Sequence, residues 1–152
     1  MIRLREIARG DLDALHALDE LCFEPDIAYS RREMERYLEM AGRLGAVAEE
    51  GGHIAGYSLG ARRRNGDALI LTLDVHPDYR RRGVGKLLLD DLLARFRAAG
   101  AARAILQVAV ENAPARAFYK KAGFRETGQL ADYYDVGRDA IEMTRSLSRE
   151  VA

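Results

Sequence analysis

The stretch 74-DVHPDYRRRGVGKLLLDDLL-93 sets three arginines against a Gly-x-Gly and then continues as an amphipathic run. Just before it, 67-DALILTLDV-75 is nearly continuous in apolar character and reads as a central strand. A strand ending at Val75, a turn through Pro77 and a helix beginning near Gly83 to Gly85 bring the first helical turn to the strand's end. The N–H groups of that turn are unpaired and carry a positive partial charge. Glycine lets a phosphate approach them without meeting a Cβ. Arg80, Arg81 and Arg82 add positive charge in the same place. The combination predicts a seat for a pyrophosphate. It is not a Walker loop, because Lys86 is followed by Leu87, and the full Gly-x-Gly-x-x-Gly pattern fails at Leu88.

Working outward, Ile2 to Ile7 alternates apolar and charged residues and predicts a first strand. Asp11 is expected to cap a helix with Leu12, Leu15, Leu18 and Leu21 on one face. A loop broken by Pro25 follows. Ser30 with Glu33 forms a capping box for a second helix, whose apolar side includes Met34, Tyr37 and Leu38. Two strands meet at Gly51-Gly52, a hairpin signal. Beyond the helix that ends at Gly100, 102-ARAILQVAV-110 reads as a strand. Asn112 caps a last helix, with Pro114 just inside it and Gly123 closing it. Residues 124–136 and 139–147 look like two final strands. The order β-α-α-β-β-β-α-β-α-β-β implies one mixed sheet with helices on its faces and a single domain over 1–152. Val151 and Ala152 are expected to fray.

Composition narrows the function classes. There are 24 basic and 24 acidic side chains, so the net charge is zero. That argues against nucleic-acid binding by bulk electrostatics. The single cysteine, Cys22, excludes a disulfide framework and fits a reducing compartment. It lies beside Leu21 and Phe23 in an apolar helical pattern, with no histidine nearby to activate it. No apolar run approaches ~20 residues, so no membrane span is expected. The N-terminal residues read as strand and not as a signal peptide, and a cytoplasmic location follows as the expectation. No metal site is expected.

Two blocks carry a family resemblance. 75-VHPDYRRRGVG-85 resembles the acetyl-CoA-binding motif of the GNAT superfamily of N-acetyltransferases, Arg/Gln-x-x-Gly-x-Gly/Ala after a strand, with Arg80, Gly83 and Gly85 filling it. 106-LQVAVENAPARAFYKKAGF-124 resembles the family's later motif, with Asn112, Ala117, Tyr119, Lys121, Gly123 and Phe124 in matching places. The resemblance implies an α/β (α+β) fold: a mixed, mostly antiparallel sheet of about seven strands, splayed in the middle and flanked by about four helices. It implies acetyl-CoA as cofactor. Backbone N–H groups across Arg81, Arg82, Gly83, Val84, Gly85 and Lys86 would hold its pyrophosphate. Leu73, Asp74 and Val75 would run along the pantetheine arm, and Asn112 would contact that arm while also capping its helix. Phe118 would lie in the core or near the adenine. A tyrosine at the position of Tyr119 is implied as the acid for the leaving thiolate.

The segments 22-CFEPDIAYS-30 and 128-GQLADYYDVGRDAIEMTRSL-147 further resemble the ribosomal-protein N-terminal alanine acetyltransferase branch. That branch carries a glutamate base where this chain has Gln107, which cannot take a proton but can orient a water. The base is therefore open among Asp74, Glu111, His76 and Tyr134. His16 and His53 read as structural. At pH near 7.5, neutralising a lysine amine of pKa about 10.4 costs roughly 4 kcal/mol, against roughly 0.4 for an α-amine of pKa about 7.8. The missing carboxylate thus favours an N-terminal acceptor over a lysine. Phe23, Glu24, Tyr133 and Tyr134 are the expected acceptor-side residues, with Glu24 and Asp26 available to attract a cationic amine. Strand alternation sends only one of the two tyrosine rings inward. Alternatives are a small-molecule amine acceptor and a non-catalytic acyl-CoA-binding module. Either a monomer or a homodimer through the C-terminal hairpin edge fits.

Overall fold

The computed structural model describes residues 1–148. The expected fraying of Val151 and Ala152 lies outside them. Seven strands and four α-helices alternate as expected: β1 Arg3–Arg5, α1 Leu12–Cys22, α2 Arg31–Glu39, β2 Arg43–Glu50, β3 His53–Arg62, β4 Asp67–Val75, α3 Val84–Ala98, β5 Arg103–Ala109, α4 Ala113–Lys121, β6 Arg125–Asp135 and β7 Arg138–Ser146. The sheet order is β1-β2-β3-β4-β5-β7-β6. All neighbours are antiparallel except β4 and β5, which lie parallel. The turn signals hold: Gly51 and Gly52 both have positive φ, and Asn112 Oδ1 accepts the Ala115 N–H at 3.2 Å. Ser30 and Glu33 form the reciprocal box, at 3.1 and 3.0 Å.

Helices cover both faces of the sheet. On one, Leu15, Leu18 and Met34 from α1 and α2 pack with Val47, Tyr57 and Leu59. On the other, Leu89, Leu92, Leu93 and Phe96 of α3 pack with Ala68, Ile70, Ala104, Leu106 and Met143, joined by Tyr119 and Phe124. Gly60 allows α3 to sit close, since a Cβ there would fall 2.6 Å from Phe96 Cζ.

Three local expectations change. β1 is three residues long, not six. Asp11 does not cap α1 with its side chain. Its carboxylate instead takes the two terminal Arg5 guanidinium nitrogens at 2.8 and 2.9 Å and the Ala8 N–H at 2.7 Å, pinning the strand exit to the helix entry. Leu21 is 57% exposed, because leucines spaced by three precess around a helix of ~100° per residue. The buried stripe of α1 runs instead through Leu15, Leu18 and Asp19, with Cys22 partly buried beside them.

The Asp11 cluster gives a stability prediction. Arg5 holds the Asp11 carboxyl below its ordinary range, chiefly by hydrogen bonding. A group with a depressed folded pKa stabilises above its unfolded value of about 3.9, and the contribution fades as pH falls through the folded value. Asp11→Asn should therefore lower unfolding free energy by about 1.5–3 kcal/mol at pH 7 and by progressively less below pH 4, read by denaturant titration.

Candidate active site

β4 and β5 pair only at Asp67–Leu69 with Arg103–Ile105. Beyond that β5 continues along β7 through Ala109, and β4 stays on β3. The two strands therefore splay and open a cleft of about 690 Å³, well within the range of small-molecule sites. The His76 N–H bonds Ala55 O, and strand alternation then aims the main chain of Asp74 at β3 and that of Leu73 and Val75 at the gap. The Leu71 carbonyl is taken by the Tyr29 hydroxyl at 2.8 Å and that of Val75 by Cys22 Sγ at 3.4 Å. Leu73 is left with its N–H and C=O facing the cleft. Asp74 thus reaches the cleft through its side chain, a change from the expected main-chain role.

At the strand's end the chain turns through Pro77–Tyr79 and enters α3. Arg81 and Gly83 both adopt left-handed backbone, φ 64° and 77°. For arginine that conformation costs about 1–2 kcal/mol. Such turns gather successive N–H groups into an anion-binding concavity. No side chain caps α3. A Cβ on Gly85 would touch Phe118 and Val75 at ordinary contact distances, 3.5 Å at the nearest, so Gly85 lies against the cleft wall. Arg80, Arg81 and Lys86 line this end of the cleft. Arg82 does not: its guanidinium turns to Glu50, at 2.9 and 3.1 Å, and lies over the Tyr79 ring. Lys86 Nζ bonds Asp90 at 2.6 Å, one turn along the helix. The uncapped turn and the free Leu73 amide fit a diphosphate carrying an extended amide-bearing arm.

Gln107, Asn112, Phe118 and Tyr119 come in from the β5–α4 side. Phe118 packs on Gly85 at the cleft wall. The Tyr119 ring sits between Phe118 and Phe124, and no group among the described residues bonds its hydroxyl. Burial first, and the charge of Asp74 second, hold that phenol above its ordinary range.

The acceptor side is built from the α1–α2 loop and β6. Phe23, Ile27 and Tyr29 line it from the loop, and both Tyr133 and Tyr134 line it from the strand. Strict alternation fails because the β6–β7 register breaks between Leu130 and Asp135, with Asp132 at φ 53°. The extra residues put the two rings side by side, 4.9 Å between centroids. The Tyr133 hydroxyl reaches Gln107 Oε1 at 3.4 Å. Glu24 does not line the cleft; Arg138 binds it at 2.7 Å, along with Asp26 at 3.0 Å and Glu111. That single guanidinium ties the loop to the hairpin and occupies the acids expected to draw in an amine. His76 accepts the Asp78 N–H and stays outside the cleft.

A model of the acetyltransferase (GNAT) family matches residues 12–124. The chain belongs to that family. It is an N-acetyltransferase of a family whose members use acetyl-CoA and an amine acceptor. An uncharacterized N-acetyltransferase of Methanocaldococcus jannaschii is 32% identical over 143 residues, 93% of this chain and 90% of that one. The ribosomal protein bS18-alanine N-acetyltransferase of Escherichia coli K12 is 36% identical over 85 residues, 54% of this chain and 57% of that relative. The crystal structure of the Escherichia coli ribosomal-protein-S18-alanine N-acetyltransferase superposes with a TM-score of 0.88 at 25% identity, covering 99% and 96% of the two chains. Ard1 from Thermoplasma volcanium superposes at 0.87 and 26% identity, covering 97% and 99%.

Within this acetyltransferase the cleft sets Asp74, one of the candidate bases, against two residues the sequence did not single out, Asp19 and Thr72. Asp19 on α1 and Asp74 on β4 are each 1% exposed and face each other across the Thr72 hydroxyl. Thr72 makes a short bond to Asp74 Oδ1 and lies 3.4 Å from Asp19 Oδ1. Asp19 Oδ2 accepts the Tyr29 N–H at 2.8 Å. Burial, and then the Asp19 charge, push Asp74 well above the usual carboxylate range. Cys22, also in the cleft, is pushed up to about 11, chiefly by burial, which keeps it a thiol. The signal for this cluster was an acid at Asp19, four residues after Leu15 and on the same helix stripe.

Proposed function

We propose that residues 1–152 form one catalytic domain that moves the acetyl group of acetyl-CoA onto an N-terminal α-amine of a protein or peptide. What carries this reading is the splayed β4–β5 cleft, running from an uncapped helix N-terminus to a mouth walled by aromatic rings. The likeness to ribosomal-protein alanine N-acetyltransferases supports the choice of acceptor. A cytoplasmic setting suits a chain whose one cysteine is a partly buried free thiol.

Acetyl-CoA supplies the thioester that the amine attacks. The N–H groups from Arg81 to Lys86 hold its pyrophosphate, with charge from Arg80 and Arg81. Leu73 and Val75 align the arm, and the Leu73 N–H is placed to polarise a carbonyl in the gap. Asn112 uses Oδ1 for its helix and has its amide nitrogen left for the arm. Tyr119 stays protonated because its pKa is raised, so it donates a hydrogen bond and then a proton to the departing sulfur. Gln107 and Tyr133 position water or the incoming amine. Phe23, Tyr133 and Tyr134 contact the acceptor.

Free-thiol release from acetyl-CoA, measured across N-terminal peptides, polyamines and amino acids, tests the acceptor. Reaction with small amines alone would overturn the N-terminal reading. Tyr119→Phe should lower kcat about 100-fold while leaving acetyl-CoA affinity within twofold. Unchanged kcat would remove the acid role. A second reading, acyl-CoA sensing without turnover, draws on Gln107 standing where the resembled branch has a carboxylate; it requires binding with no thiol release from any amine.

A further inference from the structure

Two buried carboxyls across one hydroxyl are an unusual floor for a cleft. Asp74 Oδ2 is fully buried and lacks a hydrogen-bond partner of good geometry among the described residues. Leaving a buried oxygen without a partner destabilises the fold, and a catalytic role is one reason for a protein to keep one. The groups facing it come from every neighbouring element. Asp19 and Cys22 face it from α1, Tyr57 from β3 and Thr72 from its own strand. Tyr119 on α4 feels its charge, and Arg80 stands near Cys22. Two adjacent carboxyls in this setting do not both ionise easily. Asp19 Oδ2 takes the Tyr29 N–H and Asp74 Oδ1 takes the Thr72 hydroxyl, which leaves Asp74 Oδ2 as the oxygen without a partner.

We propose that Asp74, paired with Asp19, accepts the proton that the attacking amine releases. The inference rests on the acetyltransfer reading above. Asp74 lies next to Leu73, whose N–H faces the gap, and its side chain points to the α1 face, from which the loop wall of the acceptor mouth rises. The balance closes. The amine nitrogen bonds the acetyl carbon, and the proton it releases passes to the Asp74 carboxylate. The carbon–sulfur bond breaks, and the sulfur takes one proton from Tyr119. The proton on Asp74 then restores Tyr119 through the cleft, so the chain ends as it began. Asp19 is a positioning residue: its charge keeps Asp74 basic enough to compete with an α-amine.

The test uses the full chain, acetyl-CoA and a peptide beginning with alanine. Asp74→Asn should lower kcat at least about 100-fold, with acetyl-CoA affinity by calorimetry and the melting temperature retained or raised. Because the base form of Asp74 accumulates only above its raised pKa, wild-type kcat/KM should climb with pH through an acidic limb. Asp19→Asn keeps the acceptor for the Tyr29 N–H but removes the like charge, so that limb should move at least about one pH unit lower. Infrared difference spectra at neutral pH should show a protonated carboxyl band that Asp74→Asn removes. Wild-type kcat in Asp74→Asn, a limb that stays put in Asp19→Asn, or absence of that band would each overturn the assignment. A wild-type protein that binds acetyl-CoA yet releases no thiol with the peptide would instead sink the acceptor reading, and the base with it.

Discussion

Gly85→Asp should abolish acetyl-CoA binding detectable by titration calorimetry, a loss of about 1000-fold or more. The position sits in the first turn of α3, two residues after the left-handed Gly83. A carboxylate there would stand at the proposed pyrophosphate seat. Like charges ~4 Å apart at an effective dielectric near 20 repel by roughly 4 kcal/mol, which is about three decades in affinity. The fold should not suffer. A Cβ at this position meets only Phe118 and Val75, at ordinary contact distances of 3.5 and 3.7 Å. An acid in a first helical turn is favourable toward the helix dipole. Melting temperature should therefore hold or rise while binding disappears. Retained affinity would place the nucleotide elsewhere and remove the basis for every role assigned in the cleft.

Phe96→Ala should give the largest stability loss, about 3–5 kcal/mol and on the order of 10 °C in melting temperature. The ring is fully buried, and its tip occupies the space left by Gly60. Gly60 marks the β3–β4 register shift, one strand away from the splay. Deleting the ring leaves a cavity against backbone already committed to sheet pairing, so collapse around it is limited. Differential scanning calorimetry checks this, and a shift of less than about 2 °C would show that α3 repacks over Gly60.

The sequence made the scaffold legible where one residue type has one strong local reason. The Ser30–Glu33 box, the Asn112 cap and the turn into α3 depend on a few neighbours, and each formed as read. The site was less legible because its decisive contacts join distant segments. Arg82 belongs to a row of three arginines, but only the fold reveals Glu50 beside it. Glu24 looked free until Arg138, more than a hundred residues away, was brought to it. Tyr133 and Tyr134 were separated by alternation, which holds only while a strand keeps register, and β6 loses register just there. Asp19 was hidden by leucines at spacing three, which suggested the wrong stripe. The buried stripe contains the acid, and the acid holds both Tyr29 and the Thr72–Asp74 pair.

The α1–α2 loop is fastened at two levels, by Asp19 to the Tyr29 amide at its root and by Arg138 to Glu24 and Asp26 at its rim. Its conformational freedom is thus given up during folding and not on encounter with an acceptor. On the acetyltransfer reading, that wall of the mouth then has less left to order when an acceptor arrives.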